Sequence, residues 1–88
     1  MSKFSLGQTV ITAGAREKLN HYEVLSALTR HSTGDWGDVC EEDKLSNDQA
    51  VEEGLRILSS YQTKDGTKFW IITEWDRSVT TILLPSEY

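Results

Sequence analysis

A chain of 88 residues carrying 14 acidic and nine basic side chains, for a formal charge of −5, has the makings of one small core. At this size roughly 60 to 65% of the unfolded surface is buried on folding, which leaves no room for a deep water-excluded enzyme cavity without a partner subunit. The acid excess and the scattering of Lys and Arg disfavour nucleic-acid binding, the lone Cys40 cannot form an internal disulfide, and no segment reaches the roughly 20 apolar residues of a membrane span.

The start, Met1-Ser2-Lys3-Phe4-Ser5-Leu6-Gly7, lacks the apolar run of a secretion signal, so a cytoplasmic protein with no membrane contact is expected. Leu6 to Thr12 places Val10 and Ile11 between threonines, a brief strand that would form a sheet edge or an antiparallel partner of a later strand. Thr12 can cap a helical turn through Leu19, although Gly14 inside it costs about 1 kcal/mol relative to Ala. A firmer helix follows from Asn20, whose spacing to Glu23 resembles a capping pair. Tyr22, Val24, Leu25 and Leu28 form its apolar stripe, Arg30 and His31 sit in its last turn, and Gly34 is the expected stop.

Asp35 to Glu53 holds eight of the fourteen carboxylates and a single Lys44. Ser46-Asn47-Asp48-Gln49 matches a capping box and predicts a helix from about Asn47 through Glu53, with an extra turn from Glu41 to Leu45 in front of it and Gly54 closing it. From Leu55 the period becomes alternating, with Leu55, Ile57, Ser59 and Tyr61 on one face. Asp65-Gly66 predicts a type I′ turn that pairs Leu55 to Gln62 with Lys68 to Trp75. Asp76-Arg77-Ser78 then links to Val79 to Leu84, completing a three-stranded meander in strongly β-forming residues. The expectation is a single α+β domain over residues 1–88, with a short N-terminal strand and two to three short helices packed on that meander. The sheet has four strands if Leu6 to Thr12 joins it.

Little in the chain points to catalysis. His31, Asp35, Asp38, Cys40, Glu41, Glu42 and Asp43 include the metal-ligating residue types within a short stretch, but their spacing matches no established ligand pattern, and a solvated acidic loop is the simpler reading. No metal and no cofactor are expected. Cys40 lies among acids, the reverse of the electropositive setting of an activated cysteine, no serine sits in a nucleophile elbow, and His21 and His31 fall on different turns, so no catalytic residue is assigned.

Binding is the better prospect. In Gly34-Asp35-Trp36-Gly37-Asp38 the glycines permit tight turns, so Trp36 is expected to plug into the core; the alternative is an exposed anchor rimmed by Asp35 and Asp38. Trp70 and Trp75 fall on opposite faces of one strand by parity, and the helices suffice to cover only one face. The other face is then the expected interface for a second copy of the chain or for a protein partner. Asp76 and Arg77 beside Glu74 form a compact charged set, expected as a local ion pair at the turn. Glu41, Glu42 and Asp43 form an acidic surface.

Gly34-Asp35-Trp36-Gly37-Asp38 followed by Glu42-Asp43, together with Trp70-Ile71-Ile72-Thr73-Glu74, Asp76-Arg77-Ser78-Val79-Thr80-Thr81-Ile82-Leu83-Leu84-Pro85 and Glu87-Tyr88, resemble a family of small, largely uncharacterised bacterial proteins carried on plasmids and integrated elements. Trp75 departs from the small residue expected at that position of the pattern. The resemblance spans nearly the whole chain and implies a cytoplasmic accessory protein with no catalytic residues to carry over. Two function classes follow: a protein-interaction module without catalytic activity, and an acidic anti-defence inhibitor whose carboxylates imitate phosphates before a restriction or CRISPR effector. A metal-dependent hydrolase is a third and weaker reading.

Overall fold

The computed structural model describes residues 2–88. Local chemistry sets most element boundaries. After strand β1 (Gln8–Ile11), the Thr12 hydroxyl accepts the Ala15 amide and opens helix α1 (Ala13–Lys18); the Asn20 carboxamide accepts the amides of Tyr22 and Glu23 and opens helix α2 (His21–Ser32). Helix α3 (Glu41–Glu53) ends at Gly54, which takes the left-handed conformation (φ 69°). Strands β2 (Ile57–Gln62), β3 (Lys68–Thr73) and β4 (Val79–Leu83) follow, then a 3₁₀ turn (Pro85–Glu87). The fold is α+β, with a mixed four-stranded sheet in the order β1-β4-β3-β2. Among the described residues no helix is long and apolar enough to cross a membrane.

Four local expectations are corrected. First, α3 is one uninterrupted helix from Glu41, and Ser46 to Gln49 lies in its middle. Glu41, Glu42 and Asp43 occupy its first turn, where carboxylates favour the positive end of the helix dipole, and the Asn47 side chain is taken up by the main chain of Leu58. Second, β1 is an edge strand but pairs parallel with β4, because three helices and two strands separate the pair in the chain and give it room to return in the same direction. Third, the β2–β3 hairpin does not use a type I′ turn. Gly66 is left-handed (φ 92°) but Asp65 is not; Gly66 N–H donates to Thr63 O and Thr63 N–H to Thr67 O, enclosing a three-residue loop. The Asp65 carboxylate accepts from the Thr63 and Thr67 hydroxyls and from the Thr67 amide, so it serves the loop as a side-chain brace. Fourth, Trp75 lies in the β3–β4 turn and not in the strand, which stops at Thr73.

Alternation decides where the core sits. Ile57, Ser59 and Tyr61 of β2, Phe69, Ile71 and Thr73 of β3, and Thr80 and Ile82 of β4 are buried along one face. Ala15 of α1 and Val24 and Ala27 of α2 pack there against Tyr61, Phe69, Ile71, Ile82 and Leu84, while Trp36 and α3's Ala50 pack on Ile57. All three helices therefore cover the same face. The opposite face is roofed by side chains. Tyr88 meets the Trp70 ring edge-on at 5.6 Å, and Arg56 lies over Tyr88, donates to its hydroxyl at 2.9 Å and pairs with Glu74 at 3.5 Å. Ile72 and Leu83 are buried on this side.

The outer edge of β2 is closed. Ser60 exchanges main-chain hydrogen bonds with Trp36 O (3.1 Å) and Asp38 N–H (2.7 Å), and the Asn47 carboxamide pairs with both main-chain groups of Leu58. An exposed strand edge is a template for unwanted pairing, and here a loop and one side chain occupy it.

Candidate functional site

Three groups of side chains concentrate the chemistry. The first surrounds the Gly34 to Asp38 loop. Trp36 is only 3% exposed, its indole N–H donates to the Asp48 carboxylate at 2.9 Å, and Phe4 stacks on it at 6.1 Å. Gly37 (φ 75°) is needed for a second reason besides its φ: a Cβ there would lie 2.0 Å from Ser60 O. Asp35 is not at a rim. Its carboxylate takes two hydrogen bonds from Arg30 (2.8 and 3.2 Å), which hold its pKa below the usual range, and its carbonyl accepts the Tyr61 hydroxyl at 2.6 Å. The Arg30 guanidinium lies 4.8 Å over the Tyr61 ring, and burial pushes the Tyr61 phenol up to about 12. Asp38 is exposed and ties the loop to β2 through its main chain.

The second group lies inside the core. His31 is fully buried with both ring nitrogens engaged, Nδ1 by the Ser59 hydroxyl at 2.5 Å and Nε2 by that of Thr73 at 2.8 Å. Thr73 continues to Thr80 at 2.8 Å, and Thr80 donates to Leu6 O at 2.7 Å. Desolvation, with a smaller repulsion from Arg77, drives the imidazole pKa down to about 4, so the ring is neutral. This chain of hydroxyls resembles a nucleophile beside its base, but Ser59, Thr73 and Thr80 have no exposed surface and no substrate reaches them.

The third group is the end of the sheet carrying the β3–β4 turn. Arg77 adopts a left-handed backbone (φ 60°) and donates to three main-chain carbonyls: Leu55 at 2.6 Å, Ala50 at 2.8 Å and Glu74 at 3.1 Å. It thus clamps the C-terminal end of α3 and the start of β2 to the hairpin, where a cation suits the helix dipole. The expected ion pair of Arg77 with Asp76 or Glu74 does not form. Asp76 accepts from the Ser78 amide and hydroxyl, which lowers its pKa, and Glu74 faces Arg56. Beyond the clamp, Trp75 is 65% exposed and Leu55 50%. Leu55 precedes β2 and Trp75 follows β3, so both lie just past the end of the β2–β3 ladder, which closes at Ile57 opposite Thr73.

Of the sequence-derived candidates, Trp75 and Asp76 share this exposed end, with Arg77 behind them. Trp36, Asp35 and Asp38 belong to a loop on the β2 edge, and Trp70 lies half-buried beside Tyr88 on the other face. Glu41, Glu42 and Asp43 are exposed on the first turn of α3. Leu55, expected on one strand face with Ile57, Ser59 and Tyr61, precedes β2 and is exposed, and α3 has already ended at Glu53. Cys40 is exposed as the N-terminal residue flanking α3, without a side-chain capping bond. Among the described residues no group of three or more His, Cys, Asp or Glu side chains converges closely enough to hold a metal ion.

Comparison with known proteins adds no assignment: no family model, no curated protein and no solved structure matches the chain.

Proposed function

We propose that this chain is a protein-interaction module without catalytic activity, an accessory protein of a bacterial mobile element. The mobile-element context rests on the resemblance of the Gly34 to Asp38 and Trp70 to Tyr88 blocks. The interaction reading rests on one observation, the Trp75 and Leu55 pair. A tryptophan and a leucine at the same end of the sheet and left in water are a disadvantage to an isolated domain and typical anchors at a protein interface. Arg77 holds the backbone beneath them rigid, which lowers the entropy lost on docking. Glu52, Glu53 and Asp76 flank the pair in the chain, favouring a partner whose apolar surface has a basic rim. The test is capture of partners by tagged protein from a bacterial lysate, repeated with Trp75→Ser and Leu55→Ser. A salt-resistant partner should be lost from both variants while their circular dichroism is unchanged; a partner retained by both would overturn the proposal.

One observation favours a second reading, the anti-defence inhibitor. Helix α3 carries six carboxylates and one lysine, with Glu41, Glu42 and Asp43 all exposed. A charge of −5 is modest beside duplex DNA, which carries one charge per roughly 1.7 Å of axis. Glu41→Gln, Glu42→Gln and Asp43→Asn together would abolish inhibition of a restriction or CRISPR effector on that reading, and would leave capture through Trp75 intact on the first.

A further inference from the structure

The sheet has two edges and they are treated differently. The β2 edge is closed by the Trp36 to Asp38 main chain and by Asn47, whereas all four residues of β1 are exposed. Gln8 N–H donates to Ser78 O and Thr12 N–H to Ile82 O, both at 3.0 Å, so residues of even number turn their main-chain groups toward β4. Alternation directs the N–H and C=O of Thr9 and Ile11 outward. The strand is short, at four residues, but has no Lys, Pro or bulge to guard its edge. Beside it runs an apolar groove of about 200 Å³ between β1 and α2, lined by Ile11, His21, Val24, Leu25 and Leu28 among others.

We propose that β1 pairs with β1 of a second copy, antiparallel across a two-fold axis, joining the two sheets into one. The surface is self-complementary in the way an isologous interface requires. Thr9 exchanges both main-chain hydrogen bonds with Ile11 of the partner subunit, Ile11 does the same with Thr9 of the partner subunit, and Val10 faces Val10 of the partner subunit on the axis. Charge admits a second copy at this place and opposes one along α3. Each copy carries −5, and contact along α3 would set six carboxylates against six, yet the groove lining contains no carboxylate at all. A two-residue ladder is far short of the roughly 800 Å² per partner of a stable interface, so α2 must contribute. Its Leu25, which lines the groove and is 48% exposed, is the side chain that does so. The inference goes beyond the Trp75 surface and does not depend on it.

Sedimentation equilibrium of the full chain over a range of concentrations tests the pairing. Wild type should reach twice the chain mass, and Leu25→Glu should raise the dimer dissociation constant at least about tenfold with unchanged circular dichroism. Register is read separately. Facing residues of a non-hydrogen-bonded antiparallel pair lie about 4.5 Å apart at Cα, within disulfide reach, so Val10→Cys in a Cys40→Ser background should form a cross-linked dimer on mild oxidation. A monomer at every concentration overturns the proposal and leaves the edge to a strand of another protein. So does a dimer that survives Leu25→Glu and fails to cross-link at Val10→Cys. Trp75→Ser should dimerise as wild type does, which keeps the two surfaces distinguishable.

Discussion

Acid should unfold this protein through one imidazole before its carboxylates titrate. His31 has a folded pKa of about 4 against 6.5 in the unfolded chain, because burial penalises the cation and Arg77 adds repulsion. Between those values the unfolded state binds a proton that the folded state refuses, so stability rises with pH through the window. The full contribution is present above 6.5 and is lost as pH falls toward 4. Linkage over this window gives a loss of about 2 kcal/mol between pH 7.5 and 5, and about 3 kcal/mol in the limit. The depressed carboxylates of Asp35, Asp65, Asp76 and Glu87 lose their contributions at lower pH, starting from ordinary values of 3.8 or 4.5, so the upper window belongs to His31. The assay is urea unfolding followed by tryptophan fluorescence at pH 7.5, 6.5 and 5 at constant ionic strength. With a slope of about 1 kcal/mol per molar, the midpoint should fall by about 2 M across the series, and His31→Gln should flatten that dependence. A midpoint that does not move between pH 7.5 and 5, or that moves equally in His31→Gln, would refute the account of a buried neutral ring.

Arg77→Met removes three hydrogen bonds from a charged donor and should cost about 2 to 4 kcal/mol in chemical denaturation; proton NMR of the same variant should show the His31 pKa rising, since the guanidinium no longer repels the imidazolium. Asn47→Ala leaves both main-chain groups of Leu58 unpaired at the β2 edge, with an expected loss of about 1 to 3 kcal/mol and a greater tendency to aggregate on light scattering. Gly37→Ala forces a Cβ into Ser60 O from a left-handed backbone, so its melting temperature should fall more than that of Gly54→Ala, where the added Cβ meets nothing within 4 Å; equal losses would mean that φ alone sets the cost.

Most elements were legible from local chemistry. Thr12 and Asn20 announce helices because their side chains satisfy amides three residues away or nearer, and Gly54 ends one because only glycine takes φ 69° without strain. The alternation of Ile57, Ser59 and Tyr61 is likewise a property of neighbouring residues. The two glycines around Trp36 announced a tight loop and left two places for the indole; packing on Phe4 and the bond to Asp48 put it in the core. Misreadings arose where a side chain found a distant partner. Ser46 to Gln49 spelled a helix start, but the residue that mattered there was Asn47, whose partner Leu58 lies eleven positions on.

Composition, periodicity and local motifs by themselves determined the α+β class, the Thr12 and Asn20 caps and the strands of the meander, because these depend on forces acting within a few residues. Tertiary structure decided the rest. It turned β1 parallel, withdrew Arg77 from its acidic neighbours to three carbonyls, buried His31 between two hydroxyls and left Leu55 with Trp75 in water. Each of these outcomes depends on which segments meet across long loops, and a hydrogen-bonding or apolar group carries no mark in the sequence of the partner it will find there.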